Sequence, residues 1–191
     1  MNRFRDRVFD MLPDTVRVVV EIGTDRGDFA LRALYHIPGD NWTLYCVDSW
    51  EGHYEPHHAI WKKRLAEHLQ TGRVVAVHGR SLSFAPDYPR LAADLGHAPE
   101  IDVLYIDGDH TQVEEDLRAW VPLVREGGLV VGHDAAGNWW AQYVSAALKR
   151  CFPNGGYEIG RFIGTPTRTG GTQSFLFYKD RPYGQLDSRM C

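Results

Sequence analysis

The chain has 191 residues, of which 24% are charged, and its formal net charge at pH 7 is -4. A chain of this length can bury a core without disulfides, and we predict a single domain over residues 1–191. The slightly acidic balance excludes a broad basic face for nucleic acid, and no apolar run approaches the roughly 20 residues that a membrane-spanning helix needs.

Short apolar runs predict five strands that alternate with helical patterns. We expect these strands at residues 16–22, 42–47, 73–77, 101–106 and 129–131. Two further runs, at 157–163 and 172–178, flank a polar turn and are typical of an antiparallel hairpin. Alternating β and α units join parallel strands through right-handed crossovers. The sequence therefore predicts an α/β fold, a doubly wound and mostly parallel sheet with an antiparallel C-terminal hairpin.

Two glycines, Gly23 and Gly27, follow the first strand. Glycines at this place let the backbone pass close to a ligand and let the N–H groups of the next helix face an anionic group. Their spacing is not the G-x-G-x-x-G of a dinucleotide-binding turn. A dehydrogenase is therefore the weakest of the enzyme hypotheses.

Polar residues also follow the second and third strands. Asp48 and Ser49 come about 25 residues after Gly23. A carboxylate at this place can accept hydrogen bonds from both hydroxyls of an adenosine ribose, and the alternative is a turn or helix cap. Ser81 follows the third strand, where it would pack beside an adenine ring.

The fourth and fifth strands both end in a carboxylate and an imidazole. Asp107 and His110 follow the fourth strand, and His133 and Asp134 follow the fifth. If the two strands are parallel neighbours, these groups converge at the edge where open α/β sheets bind ligands. Asp107 and Asp134 offer hard oxygen ligands for Mg²⁺, and His110 suits a general base near neutral pH. The alternatives are a solvated ring at a helix start for His110, and for His133 an imidazole bonded to the backbone or to Asp107.

Aromatic residues near these strand ends are candidates for the walls of a substrate pocket. Trp50 and Tyr54 lie in the long segment after the second strand, and Trp139 follows the fifth. The helix after His110 is predicted to start with a capping box formed by Thr111 and Glu114.

Four segments together carry a family resemblance. They are Val-Glu-Ile-Gly-Thr-Asp-Arg-Gly at 20–27, Val-Asp-Ser-Trp-Glu-Gly at 47–52, Ile-Asp-Gly-Asp-His at 106–110 and Gly-Gly-Leu-Val-Val-Gly-His-Asp at 127–134. The chain resembles class I S-adenosylmethionine-dependent methyltransferases, in particular the small-domain group that includes macrolide-sugar O-methyltransferases and cephalosporin-hydroxylase-like proteins. The resemblance covers about residues 16–134. It implies a seven-stranded, Rossmann-like sheet whose last strand is antiparallel.

The resemblance also implies roles for individual residues. The methionine part of the cofactor would lie against Glu21, Gly23 and Gly27, the ribose against Asp48, and the adenine near Ser81. Ser49 would also contact the cofactor. Asp107 would contact the cofactor, act in catalysis and bind a divalent metal together with Asp134, while His110 would be the base.

One position departs from the family pattern. Metal-binding members have an acidic residue before the second aspartate, or an asparagine after it, whereas here His133 precedes Asp134. Imidazole is a poor ligand for Mg²⁺ and a better one for Mn²⁺. We therefore predict a site for Mg²⁺ or Mn²⁺ that includes Asp107, Asp134 and His133.

The predicted activity is metal-assisted O-methylation of a small-molecule or sugar hydroxyl, as in secondary metabolism. The alternatives are a metal-independent N- or O-methyltransferase and a cofactor-binding partner protein without catalysis. The three cysteines, Cys46, Cys151 and Cys191, have no metal-like spacing and are typical of a reducing cytoplasm. A homo-oligomer in which a partner chain closes the pocket is compatible with so compact a domain.

Overall fold

The computed structural model describes residues 7–162 and 173–179. Its strands are β1 (Val18–Ile22), β2 (Thr43–Asp48), β3 (Val74–His78), β4 (Ile101–Ile106), β5 (Val124–Ala136), β6 (Glu158–Gly160) and β7 (Gln173–Tyr178). Its α-helices are α1 (Asp28–His36), α2 (Glu55–Arg64), α3 (Ala66–Gln70), α4 (Ser81–Phe84), α5 (Tyr88–Asp94), α6 (Val113–Trp120) and α7 (Ala141–Cys151). None of the helices in these ranges combines the length and apolar character needed to span a bilayer.

The strands described form one seven-stranded sheet in the order β3-β2-β1-β4-β5-β7-β6. The first five strands are parallel to one another, and β7 runs antiparallel to both β5 and β6. The predicted fold class is therefore confirmed. The turn between the last two strands lies outside the described residues, as does Cys191.

The central strands are buried on both faces, which explains why they appear in the sequence as continuous apolar runs. Helix α6 covers one face with Leu117 and Trp120. Helix α2 covers the other face with Trp61, and Cys46 of β2 is fully buried in the same cluster. With helices on both faces, the carboxyl ends of the parallel strands form the edge at which open α/β sheets bind their ligands.

The start of α6 differs from the prediction. The carboxylate of Asp109 accepts hydrogen bonds from the backbone N–H of Thr111 (2.9 Å) and from its hydroxyl (2.7 Å), and so caps a 3-10 turn over His110–Gln112. The expected capping box of Thr111 and Glu114 is wrong, because Glu114 pairs with Arg118 instead. Asp109, two residues before Thr111, supplies a charged acceptor for the Thr111 N–H that the capping box would have used.

Strand β5 contains a bulge that positions Asp134. Gly132 pairs with Phe175 of β7, but the next pair is Ala136 with Gln173, so β5 has three residues between these pairs where β7 has one. Asp134 takes a positive φ of 56° within this bulge. Bulges of this kind redirect side chains at sheet edges and next to sites. The bulge turns the Asp134 carboxylate away from the regular ladder.

Candidate active site

The ends of β1, β2 and β4 are held together by backbone hydrogen bonds. The N–H of Gly23 donates to the carbonyl of Val47 (2.9 Å), and the N–H of Asp107 donates to the carbonyl of Ile22 (2.8 Å). Gly23 has a φ of 79°, and a Cβ atom there would lie 2.2 Å from the carbonyl oxygen of Asp107. Only glycine allows the two strand ends to approach this closely.

A cleft opens beside these strand ends, and several predicted cofactor residues line it. Its lining comprises Ile22, Gly23, Val47, Asp48, Ser49, Glu51, Gly79, Arg80, Ser81, Gly108, Asp109 and Gln112. Glu21, Gly27 and Asp107 were also predicted to contact the cofactor, but they are not part of this lining.

Asp48 holds two loops in place. One carboxylate oxygen accepts the backbone N–H of Trp50 (2.7 Å), and the other accepts the N–H of Asp25 (2.8 Å). Both partners have positive φ, 46° at Asp25 and 44° at Trp50. Asp48 therefore caps these two turns, as the alternative interpretation predicted. Each carboxylate oxygen keeps a second lone pair, which could accept a hydrogen bond from a ribose hydroxyl.

Glu21 lies beneath the cleft, with 1% of its surface exposed. It accepts a hydrogen bond from the Thr24 hydroxyl (2.8 Å), which in turn accepts one from the indole N–H of Trp61 (3.1 Å). Burial raises the pKa of Glu21 to about 8, although hydrogen bonds from Thr24 and Cys46 oppose the shift. A Cβ on Gly27 would lie 3.0 Å from Trp61, so this glycine serves packing.

The raised pKa of Glu21 predicts a pH-dependent stability. Between about pH 4.5 and 8 the folded protein keeps a proton that the unfolded chain has released, so the free energy of unfolding falls as pH rises through that window. Glu21→Gln keeps an acceptor for Thr24 and does not titrate. Thermal denaturation should show the Tm of the wild type falling relative to this variant by roughly 5 °C or more between pH 5 and 8. Parallel Tm curves would contradict the protonated state of Glu21.

The carboxylates and one imidazole of the two paired strand ends converge. His110 Nε2 lies 2.7 Å from Asp134 Oδ2 and 3.6 Å from Asp107 Oδ1. One candidate ligand atom from each of the three residues lies within 4.8 Å of the others. His110 Nε2 is buried and makes no hydrogen bond of acceptable geometry despite the short distance. These three residues, called the polar triad below, are close enough together to hold a metal ion.

The charged groups of the polar triad shift one another's pKa values. Burial by itself would lower the pKa of His110, but the carboxylates of Asp107 and Asp134 outweigh it and raise the pKa to about 9. Burial would raise the pKa of Asp134, yet the imidazoles of His110 and His133 hold that pKa well below its usual range. Two close carboxylates favour a positive charge between them, either a proton on His110 or a cation.

His133 lies beside the polar triad. Its Nδ1 is 3.0 Å from Asp134 Oδ1 and 3.7 Å from Asp107 Oδ1. The ligand atoms that converge are those of His110, Asp107 and Asp134. The geometry therefore favours His110 over the predicted His133 as the third ligand. His133 pairs with a carboxylate, but with that of Asp134 and not with Asp107, which the alternative named.

Two residues that sequence reasoning missed orient the carboxylates. The Tyr105 hydroxyl donates to Asp107 Oδ2 (3.0 Å), and the Asn138 amide donates to Asp134 Oδ1 (2.7 Å). Tyr105 precedes Asp107 by two residues, and the period of a strand could have shown that both side chains lie on one face. No sequence pattern indicates the contact of Asn138, because the direction of the Asp134 side chain depends on the bulge in β5.

A cluster of aromatic rings begins at His110. The ring of Trp140 stacks on that imidazole, with centroids 5.0 Å apart and planes 16° from parallel. Trp139 is 62% exposed and contacts the rings of Trp140 and Tyr143. Trp139 is thus separated from His110 by the ring of Trp140, and its part in a substrate wall stays a prediction.

The other two predicted wall residues differ from each other. Tyr54 is 47% exposed, but Trp50 is only 2% exposed, its indole N–H donates to the carbonyl of Asp25 (2.8 Å), and its ring stacks on His58. Trp50 therefore supports the loop after β2 from within and offers no ring face to a substrate. Its polar neighbours in sequence, Ser49 and Glu51, gave no sign of this burial.

With this geometry established, comparison with known proteins identifies the family. The sequence profile of a family described as a methyltransferase domain matches residues 20–135. The chain belongs to this methyltransferase family. The matched range begins in β1 and ends in β5, so it contains all four segments on which the resemblance to class I S-adenosylmethionine-dependent methyltransferases rests. No match was found among the curated proteins.

Solved structures share the fold of this methyltransferase. The O-methyltransferase TomG from Streptomyces achromogenes, in complex with SAM, has a TM-score of 0.64 and 18% identity, over 86% of this chain and 74% of that chain. The calicheamicin methyltransferase CalS11 has a TM-score of 0.63 and 18% identity, over 92% and 75%. An O-methyltransferase from Bacillus cereus, in complex with SAH, has a TM-score of 0.58 and 16% identity, over 84% and 72%.

Proposed function

We propose that this methyltransferase transfers a methyl group from S-adenosylmethionine to a hydroxyl of a small-molecule or sugar acceptor, with the assistance of a divalent metal. The observation that carries the proposal is the convergence of Asp107, His110 and Asp134 at the sheet edge that also holds the cleft. Methyltransferases that act on hydroxyls must weaken an O–H bond, and this cluster has the groups for that task.

The cleft provides the groups that the cofactor needs. Asp48 presents carboxylate lone pairs to the ribose, Gly23 lets the backbone approach the ligand, and Ser81 lies farther along the cleft for the base. Neighbouring structures of the same fold are described as complexes with SAM or SAH. This supports S-adenosylmethionine as the cofactor and agrees with the glycine spacing, which is wrong for NAD.

The polar triad fits a divalent metal. Two carboxylates and one imidazole are an acceptable ligand set for Mn²⁺ and a less suitable one for Mg²⁺, which prefers oxygen. The buried Nε2 of His110 faces the carboxylates of Asp107 and Asp134 but makes no hydrogen bond of acceptable geometry, and a metal between these atoms would satisfy all three. When bound, the metal would stabilise the developing alkoxide of the acceptor.

The surrounding residues hold this arrangement rigid. Tyr105 and Asn138 orient the two carboxylates, and Trp140 fixes the plane of the His110 ring. The exposed ring of Trp139 would cover a flat or sugar-like acceptor and exclude water from it. Because methyl transfer needs an in-line approach of oxygen to the sulfonium methyl, positioning supplies much of the rate.

Calorimetry tests the proposal directly. We expect S-adenosylhomocysteine to bind, and Mn²⁺ to bind to the cofactor-loaded protein more tightly than Mg²⁺. Failure to bind the cofactor would contradict the proposal. Cofactor binding without any metal binding would instead favour the metal-independent alternative.

A variant at Asp48 should separate cofactor binding from metal binding. In Asp48→Asn one of the two accepting oxygens becomes an amide NH2 group. This donor would face the backbone N–H of either Asp25 or Trp50, so one hydrogen bond is lost and the loops that Asp48 holds are loosened. We expect about 10- to 100-fold weaker binding of S-adenosylhomocysteine, since hydrogen bonds to a charged group contribute about 1.5–3 kcal/mol. The control is Glu51→Gln, which also lines the cleft but pairs with Arg80 at the surface, and which should change affinity by less than about 3-fold. Equal effects of the two substitutions would contradict the role of Asp48.

Cellular location and assembly complete the proposal. Cys46 and Cys151, the two cysteines within the described ranges, are free thiols, which supports a reducing cytoplasm. The homo-oligomer remains a prediction.

A further inference from the structure

Asp116 is a buried carboxylate that the proposed mechanism does not use. It lies on α6 with 1% of its surface exposed, and its Oδ1 accepts a hydrogen bond from the hydroxyl of Ser81. A buried carboxylate is costly unless it is paired, and Ser81 is the hydrogen-bond partner observed for Asp116. Ser81 also lines the cofactor cleft. The pair therefore connects a buried charge to the cofactor pocket.

The charge on Asp116 determines the direction of this hydrogen bond. Burial raises the pKa of Asp116 to about 6, although the Ser81 hydrogen bond opposes the shift, so the carboxylate is mostly ionised at pH 7.5. An ionised carboxylate has no proton to donate and can only accept hydrogen bonds. Because a serine hydroxyl has one proton, that proton is committed to Asp116, and only lone pairs of Ser81 remain for a ligand in the cleft.

The register of the sheet places Ser81 where the base of the cofactor would lie. Asp48 pairs with His78 across β2 and β3, and the N–H of Gly79 donates to the carbonyl of Asp48 (2.9 Å). Ser81 follows two residues later at the start of α4. A purine attached to a ribose on Asp48 can therefore extend along the cleft toward Ser81.

We propose that Asp116 fixes Ser81 as a hydrogen-bond acceptor and thereby makes the cleft select a 6-amino purine over a 6-oxo purine. The inference rests on the proposed use of S-adenosylmethionine. The 6-amino group of adenine donates to the Ser81 oxygen. A 6-oxo group would place one acceptor against another, which leaves both without a partner. Asp116 is thus a positioning residue that acts through Ser81.

The test compares two ligands, S-adenosylhomocysteine and its deaminated analogue S-inosylhomocysteine, by calorimetry at pH 7.5. We expect the wild type to prefer the adenosyl ligand by about 10- to 100-fold, the effect of one mispaired hydrogen-bonding group. Asp116→Asn can donate its amide N–H to Ser81 and release the serine proton toward the cleft. In this variant the preference should fall below about 3-fold, mainly because the inosyl ligand binds better.

Two further variants keep the inference falsifiable. Ser81→Ala retains Asp116 but removes the acceptor, and it should lose the preference mainly through weaker binding of the adenosyl ligand. Glu115→Gln changes an exposed neighbour on the same helix and should keep the wild-type preference.

The outcomes separate this inference from the proposed function. The inference is overturned if Asp116→Asn weakens the binding of both ligands equally, or if Ser81→Ala keeps the wild-type preference. Cofactor binding by the wild type would still stand in either case. If the wild type binds neither ligand, the proposed function itself fails, and the inference fails with it.

Discussion

Replacing Asp134 with asparagine is expected to remove metal-assisted methyl transfer from this methyltransferase while leaving its fold intact. Asparagine tolerates the positive φ of 56° at this position, and its amide oxygen can still accept the hydrogen bond from Asn138. The substitution therefore removes one negative charge from the polar triad and replaces the oxygen that faces His110 Nε2 by an amide NH2 group of the same size. We expect Mn²⁺ binding to be lost and turnover to fall roughly 1000-fold, which corresponds to about 4 kcal/mol of transition-state stabilisation.

The measurement combines turnover, Mn²⁺ calorimetry and thermal denaturation. Asp94→Asn, on the exposed side of α5, is the matched control, because it makes the same change in charge away from the site. Its turnover and metal affinity should equal those of the wild type. An Asp134→Asn enzyme that kept more than about a third of the wild-type turnover would show that Asp134 has no role in the chemistry.

Replacing Gly23 with alanine is expected to be the most destabilising of the substitutions considered. The new Cβ would lie 2.2 Å from the carbonyl oxygen of Asp107 and 2.5 Å from the Cα of Gly108. Those atoms belong to the backbone that follows a central strand, so the clash is relieved only by separating β1 from β4. We expect a loss of roughly 3 kcal/mol or more from overpacking, and a further 1–2 kcal/mol from the positive φ.

The control for Gly23→Ala is Gly52→Ala. Gly52 also has a positive φ, 63°, but a Cβ there would meet nothing within 4 Å. Its Tm should fall by about 2–4 °C, against roughly 10 °C for Gly23→Ala. Similar shifts in the two variants would mean that backbone conformation, and not the contact between strand ends, makes glycine necessary at position 23.

The sheet was predictable because each central strand is buried on both faces. Strand β4 occupies the predicted range at both ends. Strand β5 extends well beyond the predicted 129–131, since Glu126 and Gly127 interrupt the apolar pattern while the backbone there still pairs. The N–H of Gly127 donates to the carbonyl of Lys179 after β7, a contact that no local pattern reveals.

The sequence by itself determined the alternation of strands and helices and the position of Asp107, His110 and Asp134 at neighbouring strand ends. Both follow from local chemistry, because apolar runs end where polar groups begin. Tertiary structure decided how these groups are used. A bulge against β7 turned Asp134 toward His110, burial removed Trp50 from the pocket, and helix α6 brought Asp116 to Ser81. Each of these contacts joins residues far apart in the chain, and periodicity carries no information about such partners.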